Sequence, residues 1–591
     1  MNSFLKQNED YKFSDPVLID SDFLLLAYGN TRKNLHQDFI GTSKNRHILK
    51  ILTCSANSKT IESEERTFDK EIVSVISCDF DRSGESSYII TFKNPEDEHL
   101  FDVVHFKKSN NSINLLSSGD RIPFLYSTDE WNCTILIQNN LETRIFYYDK
   151  DKLCDKKIDF PRLSIDHSSA FVDINGDLRP DLALIIEESG QKYLSLQISD
   201  KFDDSKIAQK IKLVGKTGPI VYADFNGNGL IDCAFVSSIN DEYYLNVYLN
   251  KNNEILTKID RSKNINDQTT KKESVEYGTF DEKKQYFYDN DPKFYKKIRL
   301  NDIFPNLTPV LQMNPVITGT NLPCGIMAAD INLNSYTDIF ILFKDTNDEI
   351  QFRILENMFW DNGTFRPMKY QPDHIPGILS VSVCDFTTEF KESLIVNNYY
   401  NGKFQLRYME NNYAKNRCRL TVTVLQPDSE LKTYSSIVPG ISCNYYIEET
   451  GALRASTAVS QSSFLHLQRP MCVIGLGSLS YSGDILSIGG PRTSNDLVHN
   501  HVMDVKNKIL PNSDLVIRPF KKAFRVELFL KVGEHVLHIV IVFMIVFLIN
   551  IIFVFVGHRL ENAEKEDESK KIGCNFYICC IIKQIFIVFI F

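Results

Sequence analysis

Between residues 17 and 412 the chain alternates short apolar runs with compact polar loops. Phe171 to Ile185 reads FVDINGDLRPDLALI: an apolar run, a loop carrying Asp173, Asn175, Asp177 and Asp181, and a second apolar run. Runs this short, bounded by turn residues, predict paired strands rather than helices. The pattern recurs in Tyr222 to Val236 (YADFNGNGLIDCAFV), with Asp224, Asn226, Asn228 and Asp232 at the same four positions. It recurs again in Ala328 to Leu342 (AADINLNSYTDIFIL), with Asp330, Asn332, Asn334 and Asp338. Three copies in register mark a repeat architecture.

Degraded copies extend the series. NTRKNLHQD keeps Asn30, Asn34 and Asp38 but has Arg32 at position 3, and DFDRSGESS keeps Asp79, Asp81 and Ser83 but ends in Ser87. The register also fits near Ser127 to Asn132 and from Asp385, with Glu389 and Ser393. Motif starts fall at 30, 79, 127, 173, 224, 330 and 385. Most intervals are roughly 50 residues, room for a four-stranded sheet, and seven such units fit a closed β-propeller. A second echo is an alternating strand that ends in Asn: LNVYLN (to Asn250), FRILEN (to Asn357) and LRYMEN (to Asn411). The doubled interval from 224 to 330 holds residues 251–297, polar and without period. They read as a mobile surface insertion, the alternative being a hidden eighth blade.

From 413 to 530 the pattern changes. RLTVTVLQ, CNYYIEE, FLHLQ, VIGLG, LVIRPF and FRVELFL are short alternating strands between Gly, Pro, Ser and Asn, which predicts a small β-sandwich-like domain. Val536 to Val556 is apolar throughout and of bilayer-spanning length. The expected class is therefore all-β: a polar tail at 1–16, a seven-bladed propeller at 17–412, a membrane-proximal β domain at 413–530, one transmembrane helix at 536–556 and a short tail at 557–591.

Composition changes this picture little. The 591 residues suffice for several domains, and 40 Phe and 26 Tyr favour strands. A formal net charge of -10 argues against nucleic acid as a partner. Of 13 Cys, those at 78, 233 and 384 sit at strand positions beside the motif and read as small buried apolar residues. MNSFLKQNEDYKFSD has no apolar core of a signal peptide, so either the N-terminus is incomplete or the span serves as its own signal anchor. The first is favoured, because a large N-terminal domain is hard to translocate from a C-terminal anchor. Basic residues flank the span equally, so charge does not orient it.

The loops carry the chemistry. Oxygen side chains at positions 1, 3, 5 and 9, with a backbone carbonyl at 7 from Arg179, Leu230 or Tyr336, suit a hard cation, hence Ca2+. An EF-hand needs a bidentate Glu at position 12, where this chain has Leu184, and helical flanks. The competing reading is an Asx-turn that shapes the hairpin and binds nothing. It is the preferred reading for the degraded loops. The first loop has three carboxylates and the others two, so it should bind most tightly; such ions would be structural. Sequons at Asn110, Asn132, Asn306 and Asn362 all precede the span. Cys574, Cys579 and Cys580 are palmitoylation candidates or plain apolar residues of a hydrophobic tail. No G-x-S-x-G, H-E-x-x-H, Walker loop or paired-Cys zinc motif is found, so the expectation is not an enzyme.

FVDINGDLRPDL, YADFNGNGLIDC and AADINLNSYTDIF resemble the FG-GAP repeats of integrin α chains. Together with DNGTF, VIGLGSLSYSGDILSIGGPR and LPNSDLVIRPF before a single span, the order more closely resembles the T-cell immunomodulatory protein family, also called linkin, over residues 20 to 565. The resemblance implies a type I plasma-membrane protein with its propeller outside and roles in cell adhesion and modulation of T-cell responses. It also implies RuvB-like AAA+ ATPases and tubulin as cytosolic partners. The leading reading is thus a receptor that binds an extracellular protein partner. An enzyme or carbohydrate-binding module on the same propeller is the alternative, as is a shed ectodomain cleaved within Asn495 to Pro511. A funnel of acidic or His side chains at the propeller centre would favour chemistry.

Overall fold

The apolar runs that flank the loop motif form neighbouring strands of a four-stranded antiparallel sheet. In a computed structural model such a sheet recurs seven times among the described residues, six times with four strands and once, at 308–367, with five. Those residues are 13–29, 38–54, 61–127, 132–149, 152–198, 206–251, 287–312, 322, 325–361, 363–372, 374–386, 392–413, 417–427, 434–447, 452–477, 485–491, 500–504, 512–519, 524–530 and 535–568. The chain divides into two units, Met1–Lys531 and Val532–Phe591.

The seven sheets are the blades of a propeller, at residues 24–67, 72–119, 124–158, 170–212, 216–299, 308–367 and 378–409. Blade 7 takes its fourth strand from the other end of the chain: Val17–Asp20 pairs with Lys403–Met409, Val17 opposite Tyr408. Blade 1 is also tied directly to blade 7. The amide of Leu25 donates to Asn397 Oδ1 (2.9 Å), and the hydroxyls of Tyr28 and Ser382 lie 2.5 Å apart. Ring closure therefore uses both a shared sheet and side chains.

A gradient of polarity runs outward through each blade. Asp181–Glu188, a second strand, is buried on both faces over its first six residues, because a neighbouring blade covers each face. Ile61–Thr67, an outer strand, is exposed at six of seven positions and reads IESEERT. The core accordingly lies between blades. Ile76 and Phe80 of blade 2 pack with Ile135 of blade 3, Val172 and Leu194 of blade 4 with Tyr222 of blade 5, and Phe225 of blade 5 with Ile339 of blade 6.

Several boundaries differ from the sequence reading. Phe13 bridges to Asn411 and packs on Tyr413, so the polar tail ends before residue 13. The insertion read at 251–297 is shorter: Phe287 and Tyr288 are buried, and Tyr295–Arg299 is the outer strand of blade 5. Lys and Asp are frequent there because outer strands face water. Residues 252–286, read as surface insertion with a hidden eighth blade as the alternative, lie outside the described residues.

After the propeller, two sheets share one core. The first is built on Cys418–Pro427, paired with Tyr434–Ile437, Cys472–Gly477 and Ser513–Pro519, and Ser513–Pro519 pairs in turn with Phe524–Leu530; the second comprises Ala452–Ala458, Ile441–Ile447, Ile485–Gly489 and Asn500–Asp504. Leu420, Val422 and Leu515 of the first sheet meet Cys443, Tyr445 and Ile488 of the second, which makes a β-sandwich. The Cys418–Pro427 and Ser513–Pro519 strands run parallel, a pairing that no local turn could announce. FLHLQ, read as a strand, is not one.

The second unit contains the helix His535–Glu568, in which Val540–Ala563 is long and apolar enough to cross a membrane. It continues past the apolar run into the charged segment that had been read as tail.

Candidate metal loops and the propeller–sandwich junction

Every described copy of the loop joins the first two main strands of its blade, and the same backbone geometry recurs in four of them. Positions 4 and 6 are left-handed in blades 2 (Arg82, Gly84), 4 (Gly176, Leu178), 5 (Gly227, Gly229) and 6 (Leu333, Ser335). Left-handed φ costs a residue with a Cβ about 1–2 kcal/mol. Leu, Ser and Arg adopt it here, so something other than glycine's freedom must impose it.

The carboxylates impose it. Asp173 accepts the amides of Gly176 (2.7 Å) and Leu178 (2.8 Å), one on each oxygen, while Asp181 Oδ2 accepts Ile174 (3.0 Å). Asp224 accepts Gly227 (2.7 Å) and Gly229 (2.9 Å), and Asp232 accepts Phe225 (2.8 Å). Asp330 accepts Asn334 (2.9 Å) and Ser335 (2.8 Å), and Asp338 accepts Ile331 (3.2 Å). Positions 3 and 5 each accept the amide two residues on: Asn175 from Asp177, Asp177 from Arg179, Asn226 from Asn228, Asn228 from Leu230, Asn332 from Asn334 and Asn334 from Tyr336. Each ionised carboxylate oxygen still has a second lone-pair direction.

The donor set is all oxygen and anionic. Burial, then the charge of Asp177, pushes Asp173 and Asp181 well above the usual carboxylate range. Burial also raises Asp224 to about 6 and Asp330 to about 7, against the amides that bond them. Such a set fits a hard divalent ion, which would offset the cost of keeping these carboxylates charged. Among the described residues no three or more His, Cys, Asp or Glu side chains draw together around one point.

Two of the degraded loops carry a cation of the chain's own. In blade 2, Lys107 Nζ lies 2.6 Å from Asp81, at position 3. Burial raises Asp81, but the ammonium outweighs it and holds the carboxyl below its ordinary value. In blade 7, Arg419 donates to Asp385 Oδ2 (2.7 Å), at position 1, and to Glu392, with its own side chain fully buried. Neither is legible in the sequence, because both cations are remote from their loops in the chain. The loops at 30–37 and 128–131, and residues 387–391, lie outside the described residues.

The strand-end Asn echo has a structural cause. Asn250 of blade 5 donates to Ile174 O in the blade 4 loop (2.7 Å), Asn357 of blade 6 to Phe225 O in the blade 5 loop (2.8 Å), and Asn411 of blade 7 to Ile331 O in the blade 6 loop (2.6 Å). Asn250 and Asn357 also donate their own amides to Asp232 and Asp338. Each loop is thus stapled to the next.

The loops face the sandwich. The Ala455 amide donates to Asp224 Oδ2 (3.0 Å), and Arg454 donates to Gly227 O (2.9 Å) with its guanidinium 4.6 Å from the Tyr336 ring centre. Ser335 donates to Gly475 O (2.6 Å), Gly477 to Leu333 O (2.8 Å), and Arg417 to Asn332 O (2.7 Å) and its Oδ1 (3.0 Å). Gln426 reaches Asp79 O (2.9 Å) in blade 2.

Residues 459–471, which connect two sandwich strands, enter the centre of the propeller. Gln461 Oε1 accepts the Tyr28 amide of blade 1 (2.6 Å), Ser462 Oγ accepts the Leu125 amide of blade 3 (3.1 Å), and the Phe464 amide donates to His167 O (3.0 Å) just before blade 4. Leu465 packs with Ala170 and Val172 of blade 4, Leu467 with Phe23 and Tyr28. His466 and Leu467 border a water-sized space of about 20 Å³ with Met327, Phe340 and Ser380. The apolar alternation of FLHLQ reflects burial by several blades, not a sheet. A larger cavity, about 470 Å³, lies at the outer strands of blades 4 and 5, lined by Lys210, Lys212, Tyr248, Asn290 and Lys297.

Of the sequons, Asn110 and Asn306 are exposed, Asn132 is half-buried with Oδ1 covered, and Asn362 lies outside the described residues. Cys78, Cys233 and Cys384 are fully buried between blades.

No family model matches the chain. It is 21% identical over 609 aligned residues to the human T-cell immunomodulatory protein, covering 93% of this chain and 91% of that one. It is 21% identical to the Plasmodium falciparum T-cell immunomodulatory protein homolog, covering 70% and 62% respectively. The Macaca fascicularis T-cell immunomodulatory protein is 23% identical over 42% of this chain. The β-propeller domain of the Trilobed protease from Pyrococcus furiosus covers 66% of the chain at 10% identity with a TM-score of 0.31, too low to add to the sheet topology.

Proposed function

The chain is a homologue of the T-cell immunomodulatory proteins over nearly its whole length, and from that premise we propose that it is a single-pass membrane protein whose propeller recognises a protein partner outside the cell. The observation that carries this reading is the filled axis. Propellers that act on small molecules commonly use a central funnel, and here residues 459–471 occupy that place, so recognition falls to the outer surfaces. Modulation of T-cell responses is the role the relatives' names suggest, and adhesion is the role the resemblance to FG-GAP repeats suggests. On this reading the protein is not an enzyme. Val540–Ala563 would anchor it, leaving RuvB-like ATPases and tubulin as candidate cytosolic partners.

The loops of blades 4, 5 and 6 bind Ca2+ on this reading, and the ion is structural. Asp173, Asp177 and Asp181 would hold it in blade 4, with Asn175 and the Arg179 carbonyl; the corresponding residues of the other two loops would do the same. Asp177→Ala should lower Ca2+ affinity and the Ca2+-dependent part of the melting temperature, whereas an unmutated chain whose melting temperature ignores chelators removes the ion from the reading.

Topology tests the receptor reading. In cells expressing the full chain, surface protease should digest the propeller, and glycosidase should produce a shift that Asn110→Gln and Asn306→Gln reduce. A protected, unglycosylated propeller excludes an extracellular role for this chain.

A further inference from the structure

The ring of loops is also the seat of the sandwich. Two sandwich glycines lie so close to it that no side chain fits: a Cβ on Gly489 would fall 1.9 Å from the Leu178 carbonyl oxygen, and one on Gly475 would fall 2.1 Å from Asp330 Oδ2. Two sandwich amides complete the seat, Ala455 donating to Asp224 Oδ2 and Gly477 to the Leu333 carbonyl. Leu178 and Leu333 both have left-handed φ, so the positions of their carbonyls depend on the carboxylates that hold the loops in shape.

Blade 7 shows what a cation does in this setting. Its loop carboxylate Asp385 is met by Arg419, and Arg419 belongs to the sandwich. There the cation on the loop and the fastening of the sandwich are one group. Blade 2 shows the same loop meeting a cation from its own blade, Lys107.

We propose that a divalent cation held by the loops of blades 4 to 6 fastens the β-sandwich to the propeller, so that cation binding and sandwich docking form one coupled equilibrium. This rests on the reading of those loops as Ca2+ sites. The ion would hold the loop backbone in the shape that Ala455, Gly477 and Gly489 contact. Arg419 supplies the fixed attachment, and the ion supplies the exchangeable part. Coupling is reciprocal: if the ion favours docking, docking must favour the ion by the same factor.

The test uses the full chain in detergent micelles. Ca2+ affinity is measured by calorimetry for the unmutated chain and for Gly489→Ala, which alters the seat but no cation-binding residue. Amide hydrogen exchange is measured in Ca2+ and in chelator. Gly489→Ala should weaken Ca2+ binding by about 5-fold or more. Chelation should accelerate exchange at Ala455 and Gly477, on the sandwich side of the seat. Ca2+ binding with unchanged affinity in the variant, and exchange at those amides indifferent to chelation, overturns the coupling while leaving the Ca2+ reading intact. No Ca2+ binding to the unmutated chain overturns both. If Gly489→Ala does not fold, the exchange comparison on the unmutated chain decides.

Discussion

At the scale of single residues, the loops are governed by carboxylates and the joints between them by asparagines. Asn357 donates to the buried Phe225 O and to the half-buried Thr337 O, in different blades. Asn357→Ala should cost about 1–3 kcal/mol, chiefly because Phe225 O loses its donor without gaining water, and denaturant unfolding would measure it. Histidines set a separate pH dependence. His167 and His466, both buried near the axis, are pushed down to about 4 by burial. Their unfolded values lie near 6.5, so between about 4 and 6.5 the unfolded chain binds more protons, and stability falls as pH is lowered through that window. With Ca2+ saturating, unfolding free energy should drop towards pH 4 by about 3 kcal/mol per histidine, and His466→Gln should show a shallower drop. The position-1 and position-9 aspartates were legible in the sequence because local spacing fixes them. Arg419 and Arg454 were not, since the loops they serve are up to 227 residues away.

At the scale of elements, the same polar loop serves three ends: shaping a hairpin, joining blades and seating the sandwich. The first was readable from Asx-turn chemistry, and the second left a trace in the repeated strand-end Asn. The third left none, because the sandwich contributes backbone amides and glycines, which carry no distinctive pattern. Arg419 is the clearest side-chain element of that seat. Arg419→Ala removes the guanidinium from Asp385 and Glu392 in a site closed to water and should destabilise by about 3–5 kcal/mol. Arg419→Lys should recover part of this, because a single ammonium cannot span both carboxylates as the fork does. Thermal denaturation of the two variants checks the order.

At the scale of the whole molecule, residues 459–471 make propeller and sandwich one folding unit. Leu467 is buried among Phe23, Tyr28 and Ile395, which belong to the propeller, so Leu467→Ala should cost about 2–5 kcal/mol and lower one shared calorimetric transition. Two separate transitions, with only one displaced, would show that the axial segment does not couple the domains. The sequence by itself determined the repeat, the seven-fold count, the strand pairs around each loop and the apolar helix. These follow from local periodicity and spacing, which a strand or a turn obeys wherever it lies. Tertiary structure alone decided that Val17–Asp20 closes the ring, that FLHLQ fills its axis and that the loops face the sandwich. Those contacts join residues far apart in the chain, and an apolar segment reads the same whether a sheet or a ring of blades buries it.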